Sequence, residues 1–196
     1  AYAVLTYQTA WLKANRPAAF MAAVMTTEMG DTDALVVQRR ECLAIDLTVL
    51  PPDINASAYP FQVEGEKGIR YGLGAIKGVG RGAAEHIVAV REEGGPFRSL
   101  QDFCLRAGGQ KLGRRPVEAL VKAGAFGSTG ARRAQVMEVL DRALALASEA
   151  HADRSVGQMG LFGGGAGAAG LETFSYPSVP EWPMQDLLAA EKDVLG

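Results

Sequence analysis

"LGAIKGVGRGAAEHIVAVR" runs from Leu73 to Arg91 and decides how this 196-residue chain is read. A short apolar helix reaches Gly78-Val79-Gly80, and a second helix, residues 81 to 92, starts directly behind that turn. Only glycine supports so tight a reversal, because positive φ costs nothing without a Cβ. A β-branched residue at Gly80 is therefore expected to strain the turn. The N–H groups of such a turn, backed by a helix start, make an anion site, and Lys77 and Arg81 flank it. Phosphate contact through backbone N–H groups carries no base information, so the implied partner is nucleic acid of any sequence. The letters Gly78-Val79-Gly80-Arg81-Gly82-Ala83 also fit the GxGxxA dinucleotide fingerprint, but that needs a preceding strand and an acidic residue ending a second one. Ala75-Ile76-Lys77 is too short and too helical, and Glu92-Glu93 lead into Gly94-Gly95-Pro96. No GxxxxGK[ST] phosphate loop occurs.

The stretch resembles a helix-hairpin-helix motif, a duplex-binding element without sequence preference. A second unit is expected between Lys111 and Val136, where both Ala107-Gly108-Gly109 and Gly124–Gly130 are plausible turns. Lys111, Arg114, Arg115, Lys122, Arg132 and Arg133 give this half its positive charge. The net charge of −2 hides an uneven spread: Gly65 to Arg133 holds 13 basic and 6 acidic residues, and the remainder 7 and 16. A basic middle third in an acidic chain points to an anionic partner for that third.

Outward from this centre, residues 2 to 15 read as an amphipathic helix anchored by Leu5, Trp11 and Leu12. Pro17 opens a second helix whose Phe20, Met21, Val24, Met25 and Met29 stripe reads as core. Asp31 or Thr32 caps a third through Leu43, and Pro51-Pro52-Asp53 ends regular structure, making the first region all helix. Phe61 and Val63, then Ile69 and Tyr71, flank a turn at Gly65–Gly68 and predict a β-hairpin. Ser99 caps a helix through Arg106, another spans Arg114 to Lys122, and a longer one runs from Ala131 to about Ala152. Past Ser155 the composition turns to Gly, Ala, Ser and Pro without periodicity until Gln185, the pattern of a linker. The chain is thus mainly α, divided at 1–60, 61–154, 155–181 and 182–196. Both ends look cut, as in a segment of something larger.

No apolar run is long enough to span a membrane and no signal peptide opens the chain. Two cysteines, Cys42 and Cys104, fit neither a disulfide framework nor a metal site, which points to buried thiols and a cytoplasmic location. His86 and His151 stand on helices without ligand partners and read as structural or surface residues.

"AYAVLTYQTAWLKANRPAAFMAAVM", "LPPDINAS", "RYGLGAIKGVGRGAAEHIV", "GGPFRSLQDFC" and "LVKAGAFGSTGARRA" together resemble, in order and spacing, the bacterial replicative DNA polymerase III alpha subunits, the C-family DNA polymerases. The resemblance covers essentially the whole chain. It implies that residues 1–60 belong to the fingers and that 61–154 form a tandem helix-hairpin-helix region gripping the newly made primer-template duplex. The duplex-binding residues it implies are Lys77, Gly78, Val79, Gly80, Arg81, Gly82, Lys111, Arg114, Arg115, Arg132 and Arg133. Residues 182–196 resemble the approach to an oligonucleotide-binding-fold domain.

Within the Gly-rich stretch, Gln158-Met159-Gly160-Leu161-Phe162 is similar to the family's sliding-clamp-binding pentapeptide. Leu161 and Phe162 suit an apolar cleft and Gln158 a hydrogen-bonding head that fixes register. The implied partners are duplex DNA, the sliding clamp (the beta subunit) and other replisome subunits, with no membrane. The implied parent reaction is template-directed DNA synthesis with Mg²⁺; the family's catalytic carboxylates lie upstream, so this segment is expected to bind no cofactor and to be inactive alone. Asp31/Asp33 and Asp53 fall outside the palm on the same reading. An error-prone C-family paralogue and a free-standing helix-hairpin-helix DNA-binding protein are the alternatives. The intact pentapeptide and the "QTAWLK" and "LPPDIN" wording argue against the paralogue.

Overall fold

A computed structural model describes residues 2–108, 112–155 and 175–196. Helix α1 (Tyr2–Asn15) gives way at Arg16 to α2 (Pro17–Thr27), with Pro17 at the first helical position where its missing N–H costs nothing. α2 buries Ala18, Met21, Ala22 and Met25 at i, i+4 spacing. α3 (Thr32–Ala44) is capped by Asp31, whose carboxylate accepts the N–H groups of Asp33 and Ala34, both at 3.0 Å. The apolar anchors expected on α1 are not buried: Leu5 is 58% exposed and Trp11 49%. Their helical spacing is real, but nothing in the described residues covers that face.

The expected hairpin forms. Strands β2 (Gln62–Glu64) and β3 (Gly68–Arg70) pair antiparallel about Val63 and Ile69. The first region is not all helix, because β1 (Thr48–Leu50) adds to β3 in parallel, with Val49 opposite Ile69. Three residues between a helix end and a Pro pair leave too short a run for alternation to be seen. The sheet order is β1-β3-β2.

The second, mostly helical half follows. One 3-10 turn, Leu73–Ala75, stands where a short helix was expected, and α4 (Arg81–Gly94) starts behind the glycine turn. α5 (Leu100–Ala107) is capped by Ser99, whose hydroxyl accepts the Asp102 N–H at 3.1 Å. α6 (Arg114–Lys122) precedes α7 (Arg133–Glu138) and α8 (Leu140–Ser155). These two replace the single helix expected from Ala131, with Val139 as the break. α9 (Met184–Leu195) closes the chain's described part. Residues 175–181, expected in the linker, are instead bonded to the folded body: Tyr176 Oη accepts the Leu100 N–H at 3.1 Å and Pro177 O accepts from Gln135 at 3.0 Å.

Phe97, Phe103 and Phe126 stack edge-to-face at 4.9 and 5.2 Å in the core. The Pro51–Ser57 loop locks onto it. Asn55 exchanges two hydrogen bonds with the Phe97 backbone, at 2.7 and 2.9 Å. Arg91 donates to Ile54 O and Ser57 O at 2.9 and 2.7 Å. The "LPPDINAS" stretch is therefore an architectural bracket that fixes α4 against α5. Among the described residues, no helix is long and apolar enough to cross a membrane.

Candidate nucleic-acid interface

The hairpin ahead of α4 is built from one buried residue and three glycines with different duties. Val79 is 3% exposed, and its N–H closes the turn on Ile76 O at 2.9 Å. Its side chain is a core anchor. Gly78 takes φ +93°, the left-handed region that glycine alone enters freely. Gly80, the N-cap of α4, has ordinary extended geometry (φ −71°, ψ 163°), and a Cβ on it or on Gly82 would meet nothing within 4 Å. The strain expected for a side chain at Gly80 is therefore absent; Gly78 carries the conformational demand. What Gly80 and Gly82 provide is open space before a bare helix end. No side chain caps α4, and its first ladder bond is Ala84 N–H to Gly80 O at 3.0 Å. The N–H groups of Arg81, Gly82 and Ala83 thus precede the ladder, at the positive end of the helix dipole.

α6 begins in the same way. Leu112 is buried, Gly113 (φ −77°, ψ 179°) is an uncapped N-cap, and Arg114 follows. The Leu112-Gly113-Arg114 start repeats Val79-Gly80-Arg81. The left-handed geometry of Gly78 recurs elsewhere, at Gly124 and Gly130 (both φ +77°), between α6 and α7. Of the two turns left open by the sequence, Gly124–Gly130 has the left-handed glycines, while Ala107-Gly108-Gly109 runs beyond the described residues and the bare helix start lies after it, at Gly113.

The cations divide into three groups. Lys77 and Arg115 are exposed and form no ion pair with the described residues; they line one cleft with Lys122, Glu118 and Asp193. Gly78 sits at the edge of that cleft, where a Cβ would lie 4.0 Å from Arg115 Nε. Arg81 and Arg114 are exposed but engaged: Arg81 with Glu85 at 2.8 Å and over the Tyr59 ring at 5.2 Å, Arg114 with Asp141 at 2.7 Å and Glu118 at 2.8 Å. The third group is held by other parts of the fold, Arg133 half-buried and Arg132 exposed. Arg133 donates to Lys122 O at 3.1 Å and Glu191 at 2.5 Å, and Arg132 donates to Val179 O at 3.3 Å. Arg70, Arg91 and Arg106 are likewise used within the fold, so the basic balance of the middle third is only partly a surface charge. Lys111 and the Gln158–Phe162 pentapeptide lie outside the described residues.

Two participants had no signal in the sequence. Tyr59 backs Arg81 and fills the space beside Gly74, where a Cβ would come within 2.4 Å of its ring. Glu181, in a stretch without periodicity, accepts the N–H groups of Arg133, Ala134 and Trp182 at 2.9, 3.0 and 2.9 Å. Partial burial raises its carboxyl pKa, but the three N–H donors outweigh this and hold it below the usual glutamate value. A hydrogen bond from Lys122 to Asp193 holds the Lys122 ammonium above its usual range. His86 Nε2 lies 3.1 Å from Ala107 O, a structural contact. Both thiols are buried, and burial pushes Cys104 up to about 12.

The two bare helix starts behind glycines, with cations beside them, lie within residues 46–136, which match the helix-hairpin-helix motif family. All 196 residues align at 45% identity with DNA polymerase III subunit alpha of Vibrio cholerae and of Escherichia coli K12. The Pasteurella multocida subunit of the same name is 44% identical over 197 residues. The chain is thus similar along its whole length to a segment of the DNA polymerase III alpha subunit, as its motifs implied. It spans 17% of the length of these relatives.

Proposed function

We propose that this chain is the part of a cytoplasmic replicative DNA polymerase that holds product duplex without sequence preference and tethers the enzyme to the sliding clamp. The observation that carries the reading is the bare N-terminus of α4 behind Gly78, with open space at Gly80 and Gly82 and the free cations Lys77 and Arg115 beside it. A backbone phosphate fits such a site by charge and by hydrogen-bond direction. The tether is proposed from Gln158–Phe162 and its family position. Template-directed DNA synthesis, in company with other replisome subunits, is proposed as the activity of the whole protein. Among the described residues no group of three or more His, Cys, Asp or Glu side chains would hold a metal. The Mg²⁺ proposed for the parent enzyme is assigned to the carboxylates that the family resemblance places upstream, and no chemical step is assigned to these residues.

The test is a salt titration of wild type and Gly80→Val on two unrelated duplexes. Wild type is expected to bind both alike and more weakly as salt rises, because phosphate contacts release counterions. The valine occupies the phosphate's approach without straining the chain, so binding to both duplexes falls while circular dichroism is unchanged. Strong preference for one duplex, or full binding by the folded variant, overturns the reading.

A further inference from the structure

Residues 175–196 treat the two halves of the basic region differently. This segment carries Glu181, Asp186, Glu191 and Asp193 against a single Lys192. It lies across α5, α7, the sheet and the first hairpin through Tyr176, Pro177, Glu181 and the backbone carbonyls of Val194 and Leu195. On the way it engages three cations of the second half. Lys122 pairs with Asp193 at 3.1 Å, Arg133 with Glu191 at 2.5 Å, and Arg132 donates to Val179 O. Lys77 and Arg115, in the same cleft as Lys122, are left without an ion pair among the described residues.

We propose that residues 175–196 form an acidic guard that withdraws Lys122 and Arg133 from duplex binding and leaves the footprint to Lys77 and Arg81 at the first hairpin and to Arg115 at the start of α6. The inference rests on the duplex-binding reading and adds to it a limit on which phosphates are contacted. Asp193 does this by charge and position: a phosphate approaching Lys122 meets a carboxylate already in place, and the same carboxylate faces the cleft shared with Lys77 and Arg115. Glu191 does the same on the Arg133 side. Surface ion pairs of this kind are individually weak, so neutralising one leaves the fold intact. The segment itself is anchored by Val194, which is 5% exposed, and by the backbone bonds to Glu181.

The experiment uses the whole 196-residue chain and a labelled 20-base-pair duplex over a range of salt. Glu191→Gln/Asp193→Asn is expected to bind about tenfold tighter or more near 0.1 M salt, with a salt slope steeper by up to about two, one for each cation uncovered. Asp186→Asn makes the same kind of charge change on α9 without a paired cation and is expected to bind nearly as wild type. Asp193→Asn in a Lys122→Ala background is expected to lose the gain. Equal gains from Asp186→Asn and Asp193→Asn would mean that overall charge alone is acting, and the guard is overturned. So is it by unchanged affinity and slope in a folded double variant. If wild type and every variant fail to bind duplex at any salt, the duplex-binding reading fails as well.

Discussion

At Gly78 the backbone carries the demand, and at Gly80 the proposed phosphate does. Gly78→Ala puts a Cβ at φ +93° and is expected to lower stability by about 1–3 kcal/mol, a cost that Gly80→Val should avoid. Glu181 shows a second residue-scale effect. Glu181→Ala removes the carboxylate that accepts from Arg133 and Ala134 at the start of α7, and a lost cap costs about 1 kcal/mol at neutral pH. The folded carboxyl pKa is depressed below the usual 4.5. Its contribution is therefore fully present above that value and disappears as pH falls through the lower folded one. Thermal melts should show wild type above the variant at pH 7 and the gap closing below pH ~4.5. A gap that persists or widens in acid would contradict the assignment.

Among the elements, those with strong local signals were legible and those fixed by partners were not. Asp31 and Ser99 marked α3 and α5 because a short side-chain acceptor at a helix start is a local feature. β1 was missed because three residues gain strand geometry only from β3 beside them. The break at Val139 left no mark in the sequence. In the binding region, the sequence located Gly78–Gly82 and the flanking Lys77. It could not sort Arg115, which has no ion pair among the described residues, from Arg133, which is turned inward, since both belong to Arg-Arg pairs on helix starts. That distinction depends on α9, which lies far along the chain. The pentapeptide belongs to this scale too. If Leu161 and Phe162 anchor the clamp, changing both to Ala removes side chains worth roughly 1.5–3 kcal/mol each on burial. A micromolar contact would then pass beyond detection in a clamp titration. Duplex binding and the melting temperature are expected to hold. Normal clamp binding would mark the motif as a chance match, and a fall of many degrees in melting temperature would make both residues part of the core.

For the whole molecule, the proposed function separates holding DNA from joining nucleotides. The purified chain, given primer-template, Mg²⁺ and all four nucleotides, is expected to bind and not to extend. Incorporation above a no-enzyme control would overturn the division of labour proposed above.

The parallel pairing of β1 with β3 bears on how the chain can be divided. Thr48–Leu50 lies before the boundary expected at residue 60, yet it covers one edge of the strand that leads into the first hairpin. Cutting at 60 would strip β3 of that neighbour and bare a row of unpaired N–H and C=O groups next to Ile69. An open strand edge of this kind recruits other strands, including those of identical molecules. A fragment begun after residue 60 would therefore be prone to self-association, and one begun before Thr48 would keep β3 paired on both sides.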